Sequence, residues 1–231
     1  MTAVEYPHVP VPAFLFDLDG TLIDSVYQHV VAWRAALGAI GIDLSVWRIH
    51  RRIGMSGGLF VQALLRETGR SLSADDIQQL QRAHAAEYRK QLGSVTALPG
   101  ARELLAGLTA AGVRWGIATS GYAATARPAL ELLGLPGDTP MVTRDMVRHA
   151  KPDPDLFLAC AALLDVEPRH AMVVGDSVWD LLAARRAGAL GIGLQSGGYG
   201  REELERAGAF RVYADPAEML SRLDEAGVRF D

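Results

Sequence analysis

Two aspartates near the amino terminus have the clearest potential for chemistry in this sequence. Asp17 and Asp19 lie two positions apart at the end of an apolar run, so both side chains can project from one face of an extended chain. Carboxylates this close repel each other unless a cation lies between them, and Mg²⁺ prefers oxygen ligands of this kind. The pair therefore predicts a magnesium site, although an isolated pair of acids is as typical of a helix cap.

Further polar groups follow other apolar runs along the chain. They are Thr119-Ser120-Gly121, Lys151-Pro152, and Gly175-Asp176-Ser177 with Asp180. Hydroxyls, backbone amides and a lysine suit phosphoryl oxygens, and the added carboxylates suit the same metal.

Each of these groups also has a purely structural explanation. The two hydroxyl residues could cap the next helix, and Lys151 could be a solvated loop cation. The two later aspartates could pair on the surface with Arg185 or Arg186 of the next helical turn. These explanations treat the groups one by one and leave their shared position after apolar runs unexplained.

The elements that must position these groups are short strands alternating with helices. The apolar runs typical of strands buried on both faces are 13–17, 113–118, 172–175 and 190–194. The helical patterns among them are 101–111, 123–133, 154–164, 178–187 and 201–207. This alternation predicts a doubly wound, Rossmann-like α/β fold with a parallel sheet, whose carboxyl edge would gather the polar groups in one crevice.

Residues 25–93 interrupt this alternation and predict four helices without a strand. The first helix, 26–40, ends at Gly41, and the last, 74–92, ends at Gly93. The insert leaves directly after the first strand, at the edge where α/β folds bind ligands, so it predicts a lid. The predicted domains are an α/β core of residues 1–24 and 94–231 and a helical cap of residues 25–93.

Four segments of the chain resemble, in order and spacing, the motifs of the haloacid dehalogenase-like superfamily. They read FDLDGTLIDS, ATSG, KPDPDLF and GDSVWDLLAARRAG. The resemblance extends from residue 13 to about residue 195, and the helical insert takes the place of the small cap of phosphoglycolate phosphatases and β-phosphoglucomutases. It implies magnesium-dependent transfer of a phosphoryl group from a small phosphorylated metabolite.

The resemblance also implies a role for each matching residue. Asp17 would attack phosphorus and form an acyl-phosphate, while Asp19 would protonate the leaving oxygen and later deprotonate water. The groups implied to hold and neutralise the phosphoryl oxygens are Thr119, Ser120, Gly121 and Lys151. The implied metal ligands are the Asp17 side chain, the Asp19 backbone carbonyl, Asp176 and, through water, Asp180. Relatives that cleave carbon–halogen or carbon–phosphorus bonds lack the second aspartate of the first motif, so the presence of Asp19 implies that this chain does not catalyse those reactions.

The cap contributes two candidate substrate-binding residues. His29 and Trp33 lie four positions apart on the first cap helix and share one face. The same H-x-x-x-W spacing occurs in β-phosphoglucomutases, where the histidine assists the acid/base aspartate. A packed aromatic pair at a helix–helix contact is an equally good explanation.

The mutases hold the second phosphate of their substrate with a lysine and an arginine around a glycine turn of the cap. In this chain Ile53 and Gly57 stand at those positions, although Arg51 or Arg52 could contact a substrate anion from a shifted register. The sequence therefore predicts a phosphatase, with the mutase as the enzymatic alternative. A phospho-receiver signalling domain is the non-enzymatic alternative, but such domains are about half as long and lack a cap.

The composition excludes several classes of partner. The formal net charge is −4 and no run of lysine or arginine could follow a nucleic-acid backbone. No apolar run reaches the roughly 20 residues needed to cross a bilayer, and residues 1–14 lack a signal-peptide pattern. The single cysteine, Cys160, and the histidines other than His29 are predicted to be packing or surface residues. We expect a cytoplasmic protein, monomeric or homodimeric.

Overall fold

The computed structural model describes residues 11–69 and 71–229. Some predictions concern residues that lie wholly or partly outside these ranges. They are the lack of a signal peptide at residues 1–14, the role of His8, and the outer ends of the core domain. In the described part of the chain, no helix has the length and hydropathy needed to span a membrane.

A parallel sheet forms the centre of the core domain. The strands of the described residues are β1 (Ala13–Phe16), β2 (Ile23–Asp24), β3 (Thr96–Ala97), β4 (Trp115–Ala118), β5 (Met141–Val142), β6 (Ala171–Gly175), β7 (Leu190–Leu194) and β8 (Ala209–Tyr213). In the described residues, six of them pair in the order β5-β4-β1-β6-β7-β8, all parallel. The order runs outward from β1 in both directions, which is the doubly wound topology that the sequence predicts.

Helices cover both faces of this sheet and form the cap. The α-helices of the described residues are α1 (Val26–Ala39), α2 (Val46–His50), α3 (Gly57–Thr68), α4 (Ala74–Gln91), α5 (Ala101–Ala110), α6 (Ala123–Leu133), α7 (Asp155–Leu163), α8 (Val178–Ala187), α9 (Arg201–Ala207) and α10 (Pro216–Ser221). Each helix whose bounds the sequence predicts is therefore present, and each of its ends lies within one residue of the prediction. The helix α10 was not predicted.

The alternation of side chains along β1 explains why both faces are covered. Phe14 and Phe16 pack into a cluster with α5 and α6, whereas Leu15 packs into a second cluster with Phe157 of α7. Cys160 is fully buried in this second cluster, as predicted, and burial raises the pKa of its thiol to about 12. A strand that buries both faces reads as the continuous apolar run seen in the sequence.

The cap is built from α1 to α4 and has an apolar core of its own. Trp33 and Leu37 of α1 pack there against Phe60 and Leu64 of α3. The short antiparallel pair β2 and β3 joins the two chain crossings between cap and core, with Ile23 opposite Ala97. This ladder holds the start of α1 close to the carboxyl end of β1.

Of the strands that the sequence did not predict, β2 and β3 form the separate short pair, and β5 and β8 lie at the margins of the main sheet. β5 has two residues, and β8 begins with partly or fully exposed residues, including Phe210 and Arg211. Edge strands of this kind lack the continuous apolar run by which a central strand is recognised.

Candidate active site

The parallel register brings the predicted groups to the carboxyl edge of three adjacent strands. Asp17 follows β1, and its backbone N–H donates to the Val174 carbonyl of β6 (2.8 Å). Asp176 follows β6 on one side, and Thr119 follows β4 on the other. The central strand thus carries Asp17 into the middle of the crevice, with the other groups on its two sides.

Three buried carboxylates surround one buried lysine in this crevice. An oxygen atom of each of Asp17, Asp176 and Asp180 lies within 4.8 Å of the others. The Lys151 ammonium donates to Asp17 Oδ1 and lies 2.8 Å from Asp180 Oδ1. Lys151 is fully buried, so the alternative that it is a solvated cation in a loop is wrong. One ammonium cannot balance three carboxylates, so the cluster has a deficit of positive charge.

The pKa values of these groups reflect that deficit. Burial, only partly opposed by Lys151 and aided by the charges of Asp180 and Asp19, raises the pKa of Asp17 to about 7. Burial, with the charges of Asp180 and Asp17, raises the pKa of Asp176 well above its usual range. For Lys151 burial acts the other way, but Asp17 and Asp180 outweigh it and raise the pKa of the ammonium. Lys151 stays charged, and a further cation would favour the ionised forms of Asp17 and Asp176.

Glycines allow backbone to approach the Asp176 carboxylate closely. A Cβ at Gly197 would lie 1.7 Å from Asp176 Oδ2, and one at Gly20 would lie 2.6 Å from the same atom. On the other side the Thr21 hydroxyl donates to Asp176 Oδ1 (3.2 Å). Asp176 is thereby fixed at the base of the crevice.

Asp180 is engaged on both of its oxygens. Its Oδ2 accepts from the Ser177 backbone N–H (3.1 Å) and hydroxyl (2.5 Å), which caps α8, while its Oδ1 faces Lys151. Both Asp176 and Asp180 are buried, so the surface pairs with Arg185 or Arg186 considered from the sequence are wrong. The commitment of Oδ2 to the helix cap agrees with an indirect role at a metal.

The Asp19 carboxylate turns towards the cap instead of joining the other three. Its Oδ1 accepts from the Ser25 hydroxyl (2.6 Å) and from His29 Nε2 (3.2 Å). Burial raises the pKa of Asp19, but the charge and hydrogen bond of His29 and the Ser25 hydroxyl outweigh it, so the pKa falls below its usual value. These two hydrogen bonds hold the Asp19 carboxylate against the first helix of the cap.

The segment after β4 is arranged as a turn over the crevice. Thr119 Oγ1 accepts from the Gly121 N–H (2.9 Å), and the Ser120 hydroxyl donates to the Gly54 carbonyl of the cap (3.0 Å). Neither hydroxyl caps the following helix, whose N-cap is Tyr122 without a side-chain bond, so that explanation is wrong. The Thr119 proton stays available, whereas the Gly121 amide, predicted to hold phosphate, is engaged within the turn.

His29 and Trp33 belong to an aromatic stack that lines the cap side of the site. The His29 ring stacks on Tyr88 (3.8 Å between centroids), and Trp33 stacks on His84 (4.1 Å) and contacts Phe60 (4.2 Å). His29 and Trp33 therefore both pack against other aromatic rings and line the site, so the two alternatives left open by the sequence occur together. Together with Asp19, Ser120 and Gly121, they line a cavity of about 110 Å³ between cap and core.

Several residues of this site escaped the sequence analysis, which placed His84 among packing or surface residues. His84 Nε2 lies 3.2 Å from His29 Nδ1, and Gln81 and Ala85 of the same helix line the cavity. Gln81, His84, Ala85 and Tyr88 are spaced i, i+3, i+4 and i+7, which places them on one face of α4. This periodicity could have indicated from the sequence that the four residues share one face of the helix. The packing of α1 against α4 determines that this face is directed towards the site.

The matching family model fits this geometry. Residues 11–188 match the model described as haloacid dehalogenase-like hydrolase. The chain belongs to the haloacid dehalogenase-like hydrolase family. The match spans the carboxylate cluster, the cap and the Lys151 segment, so the resemblance identified from four short motifs is confirmed over most of the chain.

Curated relatives and solved structures agree with this assignment. The chain is 35% identical to hexitol phosphatase A of Escherichia coli (strain K12) over 76% of its length and 79% of that protein. It is 34% identical to a phosphoglycolate phosphatase of Rhodospirillum rubrum over 90% of its length and 88% of that protein. A crystal structure of a hydrolase from Pseudomonas syringae superposes with a TM-score of 0.91, at 52% identity, covering 93% of this chain and 98% of the other. The chain is thus an enzyme of a hydrolase family, and both curated relatives are phosphatases.

Proposed function

We propose that this chain is a Mg²⁺-dependent phosphatase that hydrolyses a small phosphorylated metabolite through an aspartyl-phosphate on Asp17. The observation that carries the proposal is the position of the Asp17 carboxylate. It is buried at the carboxyl end of the central strand, in contact with Lys151, and in one cluster with Asp176 and Asp180. A nucleophile, its counter-ion and a set of metal ligands are thereby combined two residues from Asp19, which lines the cavity.

The donor set fits a magnesium ion. Carboxylate oxygens from different strands converge there with too little positive charge, and their raised pKa values show that the metal-free cluster resists full ionisation. Asp17, Asp176 and the Asp19 backbone carbonyl would hold the ion, with Asp180 behind them. When bound, Mg²⁺ supplies the positive charge that lets these carboxylates and a phosphoryl group share one site.

In the first half of the proposed reaction, an Asp17 carboxylate oxygen bonds to phosphorus as the ester P–O bond breaks. The leaving oxygen takes a proton from the Asp19–His29 pair and departs as an alcohol, so that one aspartyl-phosphate and one alcohol are formed. Lys151 keeps Asp17 oriented, and the Thr119 hydroxyl donates to a phosphoryl oxygen.

In the second half, a water oxygen bonds to phosphorus and the Asp17–phosphorus linkage breaks. The water proton returns to the Asp19–His29 pair, and the Asp17 carboxylate is regenerated with release of inorganic phosphate. The contact of His29 Nε2 with Asp19 Oδ1 supports this proposal, because such a pair can give up a proton in the first half and take one back in the second.

The lining of the cap favours hydrolysis over the mutase alternative. Ile53 and Gly57, which replace the cations of the mutase grip, both face the cavity. Arg52 also faces it, but its guanidinium contacts Glu67 and donates to the Arg48 carbonyl (2.6 Å). Among the described residues that line the cavity, a second phosphate would therefore find no cation that is not already engaged. The cap also disfavours the phospho-receiver alternative, because phospho-receiver domains lack a cap.

The cytoplasmic location and the monomeric or homodimeric state stay predictions.

The test is phosphate release from an aryl phosphate and a panel of metabolite phosphates, with Mg²⁺ and with chelator. We expect metal-dependent release by the wild type and none above background by Asp17→Asn, which removes the nucleophile at nearly equal volume. Asp24→Asn, a substitution of an exposed aspartate on β2, serves as the matched control and should retain full activity. Turnover by Asp17→Asn, with its circular dichroism unchanged, would exclude Asp17 as the nucleophile.

A further inference from the structure

The cavity beside the phosphate site has an inner, reactive end and an outer end formed by the cap. Asp19 and Ser120 lie at the reactive end, whereas Trp33, Met55, Phe60 and Gln81 belong to the cap. Because the phosphoryl group must reach Asp17, the part of the substrate that leaves as the alcohol occupies the cap end. The cap lining therefore selects the leaving group.

The cap end offers no uncompensated positive charge. Among the described residues that line the cavity, Arg52 is the only lysine or arginine, and Glu67 and the Arg48 carbonyl already engage its guanidinium. Burial, and then the charge of His29, hold the pKa of His84 well below its usual range, so its ring is neutral at pH 7. A carboxylate or second phosphate on the leaving group would be desolvated there without a partner.

One polar side chain of the cap end is uncommitted. Gln81 is half-buried, and no hydrogen bond of its amide is present among the described residues. Its Nε2 would lie 3.5 Å from a Cβ at Gly57 and 3.7 Å from one at Gly58, so the amide rests over two residues without side chains. An amide donates and accepts at once, which suits hydroxyl groups. Trp33, Phe60 and Met55 supply apolar surface around it, as in sites that bind the carbon faces of polyols.

We infer that the leaving group is neutral and rich in hydroxyl groups, as in a sugar or polyol phosphate, and that Gln81 hydrogen-bonds to those hydroxyls. This inference rests on the proposed function, since it names the substrate class of the same site. It makes the charge of the leaving group, more than its size, the property by which the enzyme discriminates.

The first test compares esters that differ only in that charge. Glycerol 3-phosphate is paired with 3-phosphoglycerate, and a hexitol 6-phosphate is paired with 6-phosphogluconate. We expect kcat/KM to be at least about tenfold higher for the neutral member of each pair, because an unpaired buried charge costs more than about 1.4 kcal/mol. Equal or better hydrolysis of the anionic members would overturn the inference.

The second test compares substitutions of two glutamines on α4. Gln81→Met keeps the length of the side chain and removes its hydrogen bonds, so kcat/KM for the hexitol phosphate, relative to an aryl phosphate, should fall about threefold to tenfold. Gln79→Met, on the exposed side of the same helix, should leave this ratio unchanged. A ratio that does not respond to Gln81→Met would overturn the role of Gln81.

A third variant tests the charge argument by gain of function. Glu67→Gln removes the charge that compensates Arg52, so the preference for glycerol 3-phosphate over 3-phosphoglycerate should shrink on the order of threefold. An unchanged preference would contradict the neutralised state of Arg52.

Failure of this inference is distinguishable from failure of the proposed function. If the proposed function is wrong, no ester, including the aryl phosphate, releases phosphate in a manner that depends on Asp17. If only the inference is wrong, Asp17-dependent release persists and the anionic esters are preferred or equal.

Discussion

Asp17 is the residue whose charge state would link the stability of this protein to the proposed metal binding. It lies in a buried cluster with Asp176 and Asp180, and Lys151 compensates only part of their charge. Its carboxylate is costly to ionise in the metal-free protein, and the same cost is recovered when a cation binds. The proposed nucleophile is therefore also a residue through which we expect pH and Mg²⁺ to affect folding.

This coupling predicts how metal-free stability depends on pH. Burial raises the pKa of Asp17 from its ordinary 3.8 to about 7. A carboxyl with a higher pKa in the folded chain contributes stability that is complete below about pH 4 and is lost as the pH rises through about 7. In chelator, we expect the Tm to fall by several degrees, on the order of 5 °C, between pH 5 and pH 8.

Two comparisons check the origin of that change. Added Mg²⁺ should raise the Tm at pH 8 more than at pH 5, because it binds the ionised cluster of the folded state. Asp17→Asn cannot ionise and should lose less Tm over the same interval. The same pH dependence in the wild type and in Asp17→Asn, followed by differential scanning calorimetry, would show that the effect arises elsewhere.

At the scale of elements, the turns that follow the strands are as important to the site as the strands themselves. The turn after β7 contains Gly197, whose backbone lies against the Asp176 carboxylate, and the Ser196 hydroxyl of this turn donates to the Gly20 carbonyl (2.6 Å). Two turns from different strands thus close around one carboxylate. Only a residue without a Cβ permits this approach.

Gly197→Ala is expected to displace Asp176. The added Cβ would lie 1.7 Å from Asp176 Oδ2, so the carboxylate or the turn must move. We expect the Mg²⁺ concentration for half-maximal activity to rise at least about tenfold. Gly38→Ala on α1 is the control and should leave the metal dependence unchanged, because among the described residues no atom beyond its chain neighbours and its own helix backbone lies within 4 Å of the added Cβ. A Gly197→Ala enzyme with unaltered metal affinity would contradict the close fit.

At the scale of the whole molecule, one segment of the cap docks on two loops of the core. His50 Nε2 donates to the Gly197 carbonyl (2.7 Å), the Tyr199 hydroxyl donates to the Arg51 carbonyl (2.9 Å), and the Ser120 hydroxyl reaches the Gly54 carbonyl. The Arg51 guanidinium also lies over the Tyr199 ring, 4.1 Å from its centroid. These contacts bring the cavity lining of the cap over the reactive end of the core.

Tyr199→Phe is expected to weaken this docking without altering the reactive groups. Loss of one hydrogen bond between cap and core corresponds to about 0.5–1.5 kcal/mol, so KM should rise about twofold to tenfold while kcat changes little. Tyr213→Phe, which removes a hydroxyl bonded to Glu225 outside the site, is the matched control and should leave KM unchanged. Steady-state kinetics on one good substrate distinguishes the two; an equal effect of both substitutions would argue against a specific role of the docking contact.

The sequence by itself determined the fold class and which polar residues follow the central strands. Central strands buried on both faces must be apolar throughout, so β1, β4, β6 and β7 were readable as runs. The carboxyl ends of parallel strands lie at one edge, so Asp17, Thr119 and Asp176 could be expected near one another before any coordinate was known. The helical insert was equally readable, because its periodicity and its glycine stops are local properties.

Only the tertiary structure decided where these side chains point and what they touch. It turned Asp19 towards His29, engaged the Gly121 amide with Thr119, and compensated Arg52 with Glu67. It also selected which face of α4 meets the cavity, and so revealed Gln81 and His84. These contacts depend on side-chain rotamers and on partners that packing brings together, often from distant parts of the chain. Local sequence patterns therefore do not predict them.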